Sequence, residues 1–277
     1  LLTNVRKNGT EALKVYTAHS ALDLIATARE EVYERGEPVV MATVVRAVGS
    51  NPQQVGARML RFLNGEIMGT VGGGRIEARI LEESDALLSS EDSQKYCSYN
   101  LQKDLGMTCG GVMDVFLEKI LPAPHVVIFG GGHVSAPTAE LAVKSGFRVT
   151  VVEPREDWGT HERFPNVHEL SNLSFDDFLA DFTPQSHHFL VLVSKGHSTD
   201  LGVLQKVIHG PQTFTGMIGS KQKAWSVWKK LREAGISEEL WNKVVCPIGL
   251  PIGGQHPSEI AVSIVAQLIQ VRYEDIK

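Results

Sequence analysis

Cysteine is scarce. There are three in 277 residues, Cys97, Cys109 and Cys246. An odd number, widely spaced and without a CxxC, excludes a disulfide framework and a zinc site of paired thiols, and points to a reducing compartment. No stretch reaches the ~18 apolar residues that a membrane helix needs. The longest apolar segment, residues 260–271, contains Ser263, Gln267 and Gln270. The first residues lack the apolar core of a signal peptide. The expectation is a cytoplasmic protein without a membrane partner. A long basic run is also missing, and 27 Lys and Arg face 32 Asp and Glu, a formal charge of −5. Nucleic acid is therefore not an expected partner. GxSxG, HExxH and GxxxxGK[ST] are all absent, which removes the usual serine-hydrolase, zinc-protease and P-loop readings.

The composition, 43% hydrophobic and 21% charged, is that of a globular chain, and its length fits two ordinary domains. Pro122 and Pro124 disfavour both helix and ladder between two apolar runs. They set the expected boundary: residues 1–122 and residues 123–277. The first part reads as α+β. It has a helix over 17–35, a strand over 38–48, a hairpin of 58–62 and 66–71 around Asn64-Gly65, a helix over 76–88 and a strand over 112–120. The second part alternates. Strands over 126–129, 147–152, 189–193 and 214–218 interleave with helices over 134–145, 199–208 and 221–234, and a last helix covers 258–272. Alternation of this kind predicts an α/β fold with a Rossmann-like parallel sheet.

The strongest chemical signal is His125-Val-Val-Ile-Phe-Gly130-Gly131-Gly132-His133-Val134-Ser135. Gly130 and Gly132 fill the first two positions of GxGxxG, and Ser135 replaces the third glycine. Small residues let backbone amides approach a pyrophosphate at a helix N-terminus. Glu153 ends the next strand, 21 residues after Gly132, where a carboxylate accepts hydrogen bonds from ribose hydroxyls; nearby Arg155 could instead meet a 2′-phosphate. The other reading is a tight strand-to-helix connection with Glu153 solvated. Gly72-Gly73-Gly74, flanked by Arg75 and Glu77, presents amides suited to an anion, or is only a turn. Cys109 before Gly110 and Gly111 is either an accessible thiol or a small buried apolar residue. Gly219-Ser220-Lys221 reads as an anion site or as a helix cap with Ser220 at its N-cap. His187 and His188 would face opposite sides of a strand. The histidines read as surface or capping residues, and no metal site is expected. Trp225 and Trp228, three apart on a helix, read as core or interface.

Taken in order, these stretches resemble the xanthine dehydrogenase accessory protein family (XdhC/CoxI). The resemblance runs through Ala42-Thr-Val-Val-Arg46, Gly49-Ser-Asn-Pro52, Gly56-Ala-Arg-Met59, Gly69-Thr-Val-Gly-Gly-Gly74 with Glu77, and Cys109-Gly-Gly111. It continues with Gly130-Gly-Gly-His-Val134, Gly146-Phe-Arg-Val-Thr-Val-Val152, Gly216-Met-Ile-Gly-Ser-Lys221, Pro247-Ile-Gly-Leu250, Gly253-Gly254 and Pro257-Ser-Glu-Ile-Ala261. It implies a C-terminal Rossmann domain and a chaperone role toward a xanthine dehydrogenase-like molybdenum hydroxylase. Members bind molybdenum cofactor (molybdopterin), support its sulfuration with a cysteine desulfurase and help insert it. Cys109 is then the expected cofactor or sulfur contact, and the turns at Gly72–Gly74 and Gly110–Gly111 the expected walls of an amide-rich pocket. Two positions depart from the pattern. Arg75 stands where many relatives carry cysteine, which removes a thiol there, and Gln53 stands where arginine is common. The alternative is an NAD(P)-dependent oxidoreductase acting on a small molecule. A homodimer is the expected assembly.

Overall fold

The computed structural model describes residues 20–108 and 110–274. Two compact units meet in sequence after Pro122.

The first unit begins with a helix, α1 (Ala21–Arg29), capped by Ser20. The Ser20 hydroxyl accepts from the Asp23 amide, and the Asp23 carboxylate accepts in turn from the Ser20 amide at 2.8 Å, a reciprocal cap. One π-helical stretch, Glu30–Arg35, follows and stops at Gly36, whose φ is 71°. Five antiparallel strands are β1 (Val39–Val48), β2 (Arg58–Phe62), β3 (Ile67–Gly69), β4 (Gln94–Asn100) and β5 (Val112–Ile120). They lie in the order β3-β2-β1-β5-β4. The strand period of two sorts β1 between two cores. Val40, Ala42 and Val44 join Ile76, Ile80 and Leu87 of α2 (Gly74–Leu88), whereas Val39 joins Leu24 and Ala28 of α1. The two helices thus cover opposite faces of the sheet.

The second unit is a six-stranded parallel sheet of β6 (His125–Phe129), β7 (Arg148–Val152), β8 (Glu169–Ser171), β9 (His188–Leu192), β10 (Phe214–Met217) and β11 (Val244–Val245). Its order, β8-β7-β6-β9-β10-β11, is 3-2-1-4-5-6 in the unit's own count, the doubly wound Rossmann arrangement. Val126 and Ile128 of β6 pack with α3 (Ser135–Lys144) and α8 (Pro257–Arg272). Val127 and Phe129 pack toward α4 (Phe175–Asp181), α5 (His197–Val207), α6 (Lys221–Glu233) and α7 (Glu238–Trp241). All five residues of β6 are buried, as expected of a central strand covered on both faces. The chain reverses direction across the sheet between β6 and β9, so the crevice beyond the carboxyl ends of those strands is the place for a ligand.

Candidate functional site

The glycine turn leaves the end of β6 at this switch point. Each glycine there has its own reason. A Cβ on Gly130, whose φ is 108°, would lie 2.8 Å from Ser194 Cα, and one on Gly131 would lie 2.8 Å from Glu153 Cγ. A Cβ on Gly132 would meet nothing within 4 Å. Gly130 and Gly131 are therefore small because the protein closes on them, and Gly132 faces open space. That space is a cavity of about 770 Å³ lined by Gly130, Gly132, His133, Val134, Glu153 and Arg155 among others, a size that suits a cofactor or nucleotide. Gly131→Ala is expected to destabilise the second unit by about 1–3 kcal/mol through overpacking against Glu153. Gly132→Ala should leave thermal unfolding nearly unchanged.

Glu153 stands at the predicted place, but its carboxylate is already committed. Oε2 accepts from the Gly131 amide at 2.6 Å and from Arg155 Nη2 at 2.8 Å; Oε1 accepts from the Arg155 amide at 3.0 Å and Nε at 2.8 Å. These four bonds use the four lone-pair positions of a carboxylate. Glu153 is 2% exposed, so the expected solvated alternative does not hold, and neither hydroxyl of a ribose would find a free acceptor here. Burial alone would raise its pKa. The bonds from Arg155 and from the Arg155 and Gly131 amides outweigh it and hold the carboxyl below its usual range.

Around this pair lie residues that no motif marks. The Arg155 guanidinium sits over the Trp158 ring, 4.6 Å from its centroid, and Arg163 sits at the same distance. Arg163 also donates to the Gly131 and Trp158 carbonyls at 2.8 and 2.7 Å, which ties the glycine turn to the segment after β7. On the β9 side the cavity meets Ser194, Lys195, Gly196 and Thr199. Ser194 Oγ donates to Asp200 Oδ1, and Lys223 Nζ donates to Asp200 Oδ2 and to the Ile218 carbonyl. Asp200 has no exposed surface. Arg163 is 32 residues from Gly131 and Lys223 is 23 from Asp200, so no local spacing signals either contact.

Gly219-Ser220-Lys221 follows the cap alternative. Ser220 accepts from the Lys223 amide at 3.2 Å and starts α6. Ile218 lines the cavity, and these three residues do not. In the first unit, Gly72, Gly73 and Gly74 all have positive φ, but Glu77 from the first turn of α2 occupies their anion position. Its Oε2 accepts from the Val71 and Gly73 amides at 3.2 and 3.3 Å and from the Thr70 hydroxyl. Arg75 donates to the Leu105 carbonyl at 2.9 Å. A Cβ on Gly111 would lie 2.5 Å from the Ser50 carbonyl, and one on Gly72 would lie 2.8 Å from Pro52 Cγ. The two glycine turns of this unit thus both abut the loop of residues 49–52. Gly110 is exposed, and Cys109 lies outside the described residues.

The histidines differ from the expectation. His187 precedes β9, so the pleat does not set its direction, and its ring lies 4.3 Å from that of His188 and 6.4 Å from that of His125. His125 and His188 are buried, neither surface nor capping residues. They begin β6 and β9 and so lie at the opposite end of the sheet from the glycine turn. His125 Nε2 is 2.9 Å from Thr150 Oγ1, and His188 Nδ1 accepts from the Gln185 amide at 2.8 Å. Burial, then the neighbouring histidines and Arg148, push His125 down to about 2 and His188 to about 3. Trp225 is exposed, and Trp228 is partly buried against the second core. Cys97 is buried and Cys246 partly so. No helix among the described residues is long and apolar enough to cross a membrane.

A family model described as the XdhC Rossmann domain matches residues 126–268, and one described as the XdhC and CoxI family matches residues 32–100. The chain is 31% identical over 252 residues to the uncharacterised protein YqeB of Escherichia coli K12, covering 90% of this chain and 46% of that protein. It is 29% identical over 159 residues to a Bacillus subtilis protein named as a probable xanthine dehydrogenase subunit, covering 57% of this chain and 46% of that protein. It therefore spans about half the length of these curated relatives. A solved structure described as a xanthine dehydrogenase from Bacillus halodurans superposes with a TM-score of 0.50 at 22% identity, over 92% of this chain and 96% of that one, a likeness of fold.

Proposed function

Because this chain belongs to the XdhC and CoxI family, we propose that it is an accessory protein in the maturation of a xanthine dehydrogenase-type molybdenum hydroxylase. It binds molybdenum cofactor, supports its sulfuration together with a cysteine desulfurase and hands it to the apo-enzyme. The observation that carries this reading is the pair of family matches, one in each unit. The xanthine dehydrogenase name of a relative supports it.

The residues fit an anionic, ring-bearing ligand better in the second unit than in the first. At the turn of Gly72–Gly74 the Val71 and Gly73 amides already serve Glu77 and the Gly72 amide serves Thr70 Oγ1, and an incoming anion would have to displace a carboxylate. In the Rossmann crevice, Gly132 opens on a cavity of about 770 Å³ that Trp158, Arg155 and Lys195 also line. There the helix N-terminus and two cations hold negative charge. The bound cofactor supplies the molybdenum centre of the client enzyme; the chain's own part is to bind, shield and release it. Cys109 is the proposed sulfur or cofactor contact of the first unit. The Rossmann strand order and its glycine turn also favour a nicotinamide nucleotide as ligand, which is the rival oxidoreductase reading.

The test is activity of the client hydroxylase in cells lacking this chain, complemented with wild type or Cys109→Ser. Wild type should restore activity. Cys109→Ser should give at least tenfold less, with an unchanged melting temperature of the accessory protein. Full hydroxylase activity without the chain would overturn the proposal, and full activity with Cys109→Ser would remove the role of the thiol.

A further inference from the structure

We propose that the Rossmann crevice selects its ligand by a phosphomonoester and not by a ribose diol, and that Arg155 reads that group. In a crevice that recognises a ribose, the acid at the end of the second strand accepts from the sugar hydroxyls. Here both Glu153 oxygens are filled, two of the four bonds coming from one edge of Arg155. A diol could bind only by displacing one or more of those bonds at a carboxylate that is 2% exposed.

The same pair prepares Arg155 for a different ligand. A guanidinium has five donor hydrogens. Arg155 Nε and one hydrogen of Nη2 go to Glu153. The opposite edge, Nη1 and the second hydrogen of Nη2, makes no hydrogen bond among the described residues. The side chain is 44% exposed and forms part of the cavity wall. Glu153 below it and the Trp158 ring against it restrict its rotamers, so the free edge is a preorganised fork. A phosphomonoester carries about −1.5 to −2 charges and three acceptor oxygens at neutral pH, which match such a fork bidentately. Glu153 acts through Arg155 and is a positioning residue.

Two ligands present this chemistry: the 2′-phosphate of NADP, and the terminal phosphate of molybdopterin. The second source rests on the function proposed above. The experiment is titration calorimetry of the full chain under anaerobic conditions with NADP, NAD and molybdopterin, using wild type, Arg155→Ala and Arg155→Lys. Arg155→Lys keeps a cation beside Glu153, which guards against a variant that fails to fold, but has no second edge. The proposal expects wild type to bind NADP at least tenfold more tightly than NAD, or molybdopterin at least tenfold more tightly than either variant does. Loss of the NADP preference in both variants, with molybdopterin failing to bind even wild type, would support the phosphate-reading crevice and overturn the function proposed above. Equal molybdopterin binding by wild type and both variants, with NAD and NADP indistinguishable, would overturn this inference and leave that function standing. If no probe binds, the inference is overturned.

Discussion

Asp200→Ala is expected to destabilise the second unit by about 3–5 kcal/mol, because it strands a largely buried ammonium. Lys223 is 11% exposed at its side chain, and its ammonium bonds only to Asp200 and the Ile218 carbonyl among the described residues. Removing the carboxylate also takes the acceptor from Ser194 Oγ, whose remaining contact is the Gly196 carbonyl at 3.4 Å. For a unit of this size each kcal/mol is worth roughly 2–4 °C of Tm, so the drop should be on the order of 6–20 °C. The pair as a whole need not stabilise, since bringing both charges out of water offsets much of their attraction. Asp200→Leu combined with Lys223→Met should therefore recover most of the loss. Calorimetric unfolding of the single and double variants decides this. A cost below 1 kcal/mol for Asp200→Ala would show that water reaches Lys223.

Acidification is the second large effect. Lowering the pH from 7 to 5 should cost the second unit about 4 kcal/mol through His125 and His188 together, about 2 for each. Their folded pKa values, about 2 and about 3, lie below the ordinary value of 6.5. Between these limits the unfolded chain binds protons that the folded chain refuses. The stabilisation is complete above pH 6.5 and is lost progressively as pH falls. His187 is lowered for the same reason, burial and then Arg148, and adds in the same direction. Glu153, also lowered, acts in a more acidic window, beginning below its ordinary value of 4.5. Denaturant unfolding of wild type and His188→Gln across pH 5–7 tests the account. The slope of stability against pH should fall by up to one proton in the variant. An unchanged slope would contradict the buried neutral state of His188.

The Rossmann half was legible because β6, β7 and β9 are apolar on both faces and each is followed by a helix or turn signal. The elements that escaped were the edge strands β4, β8 and β11 and two helices, α4 and α7, whose seven and four residues are too few to show helical periodicity. β4, Gln94 to Asn100, has one buried residue, Cys97, since an edge strand facing water carries little hydrophobic pattern. β8 and β11 have three and two residues, too few for periodicity. The site divides in the same way. The position of Glu153 follows from spacing, but its saturation by Arg155 and Gly131 does not, because a carboxylate reads the same whether free or paired. Likewise Glu77 was visible beside the triple glycine, while its occupation of the Val71 and Gly73 amides required coordinates. The histidine cluster joins residues more than 60 positions apart through the parallel pairing of β6 with β9, and such pairing is invisible to any local motif.

The most direct test of the central claim is the pterin content of this protein purified anaerobically from cells that make molybdenum cofactor. Released pterin would be measured by fluorescence after oxidation and molybdenum by mass spectrometry. The account predicts that pterin and molybdenum elute with the protein in a fixed ratio. Protein free of both, recovered from cells with an ample cofactor pool and unable to take the cofactor up afterwards, would contradict it.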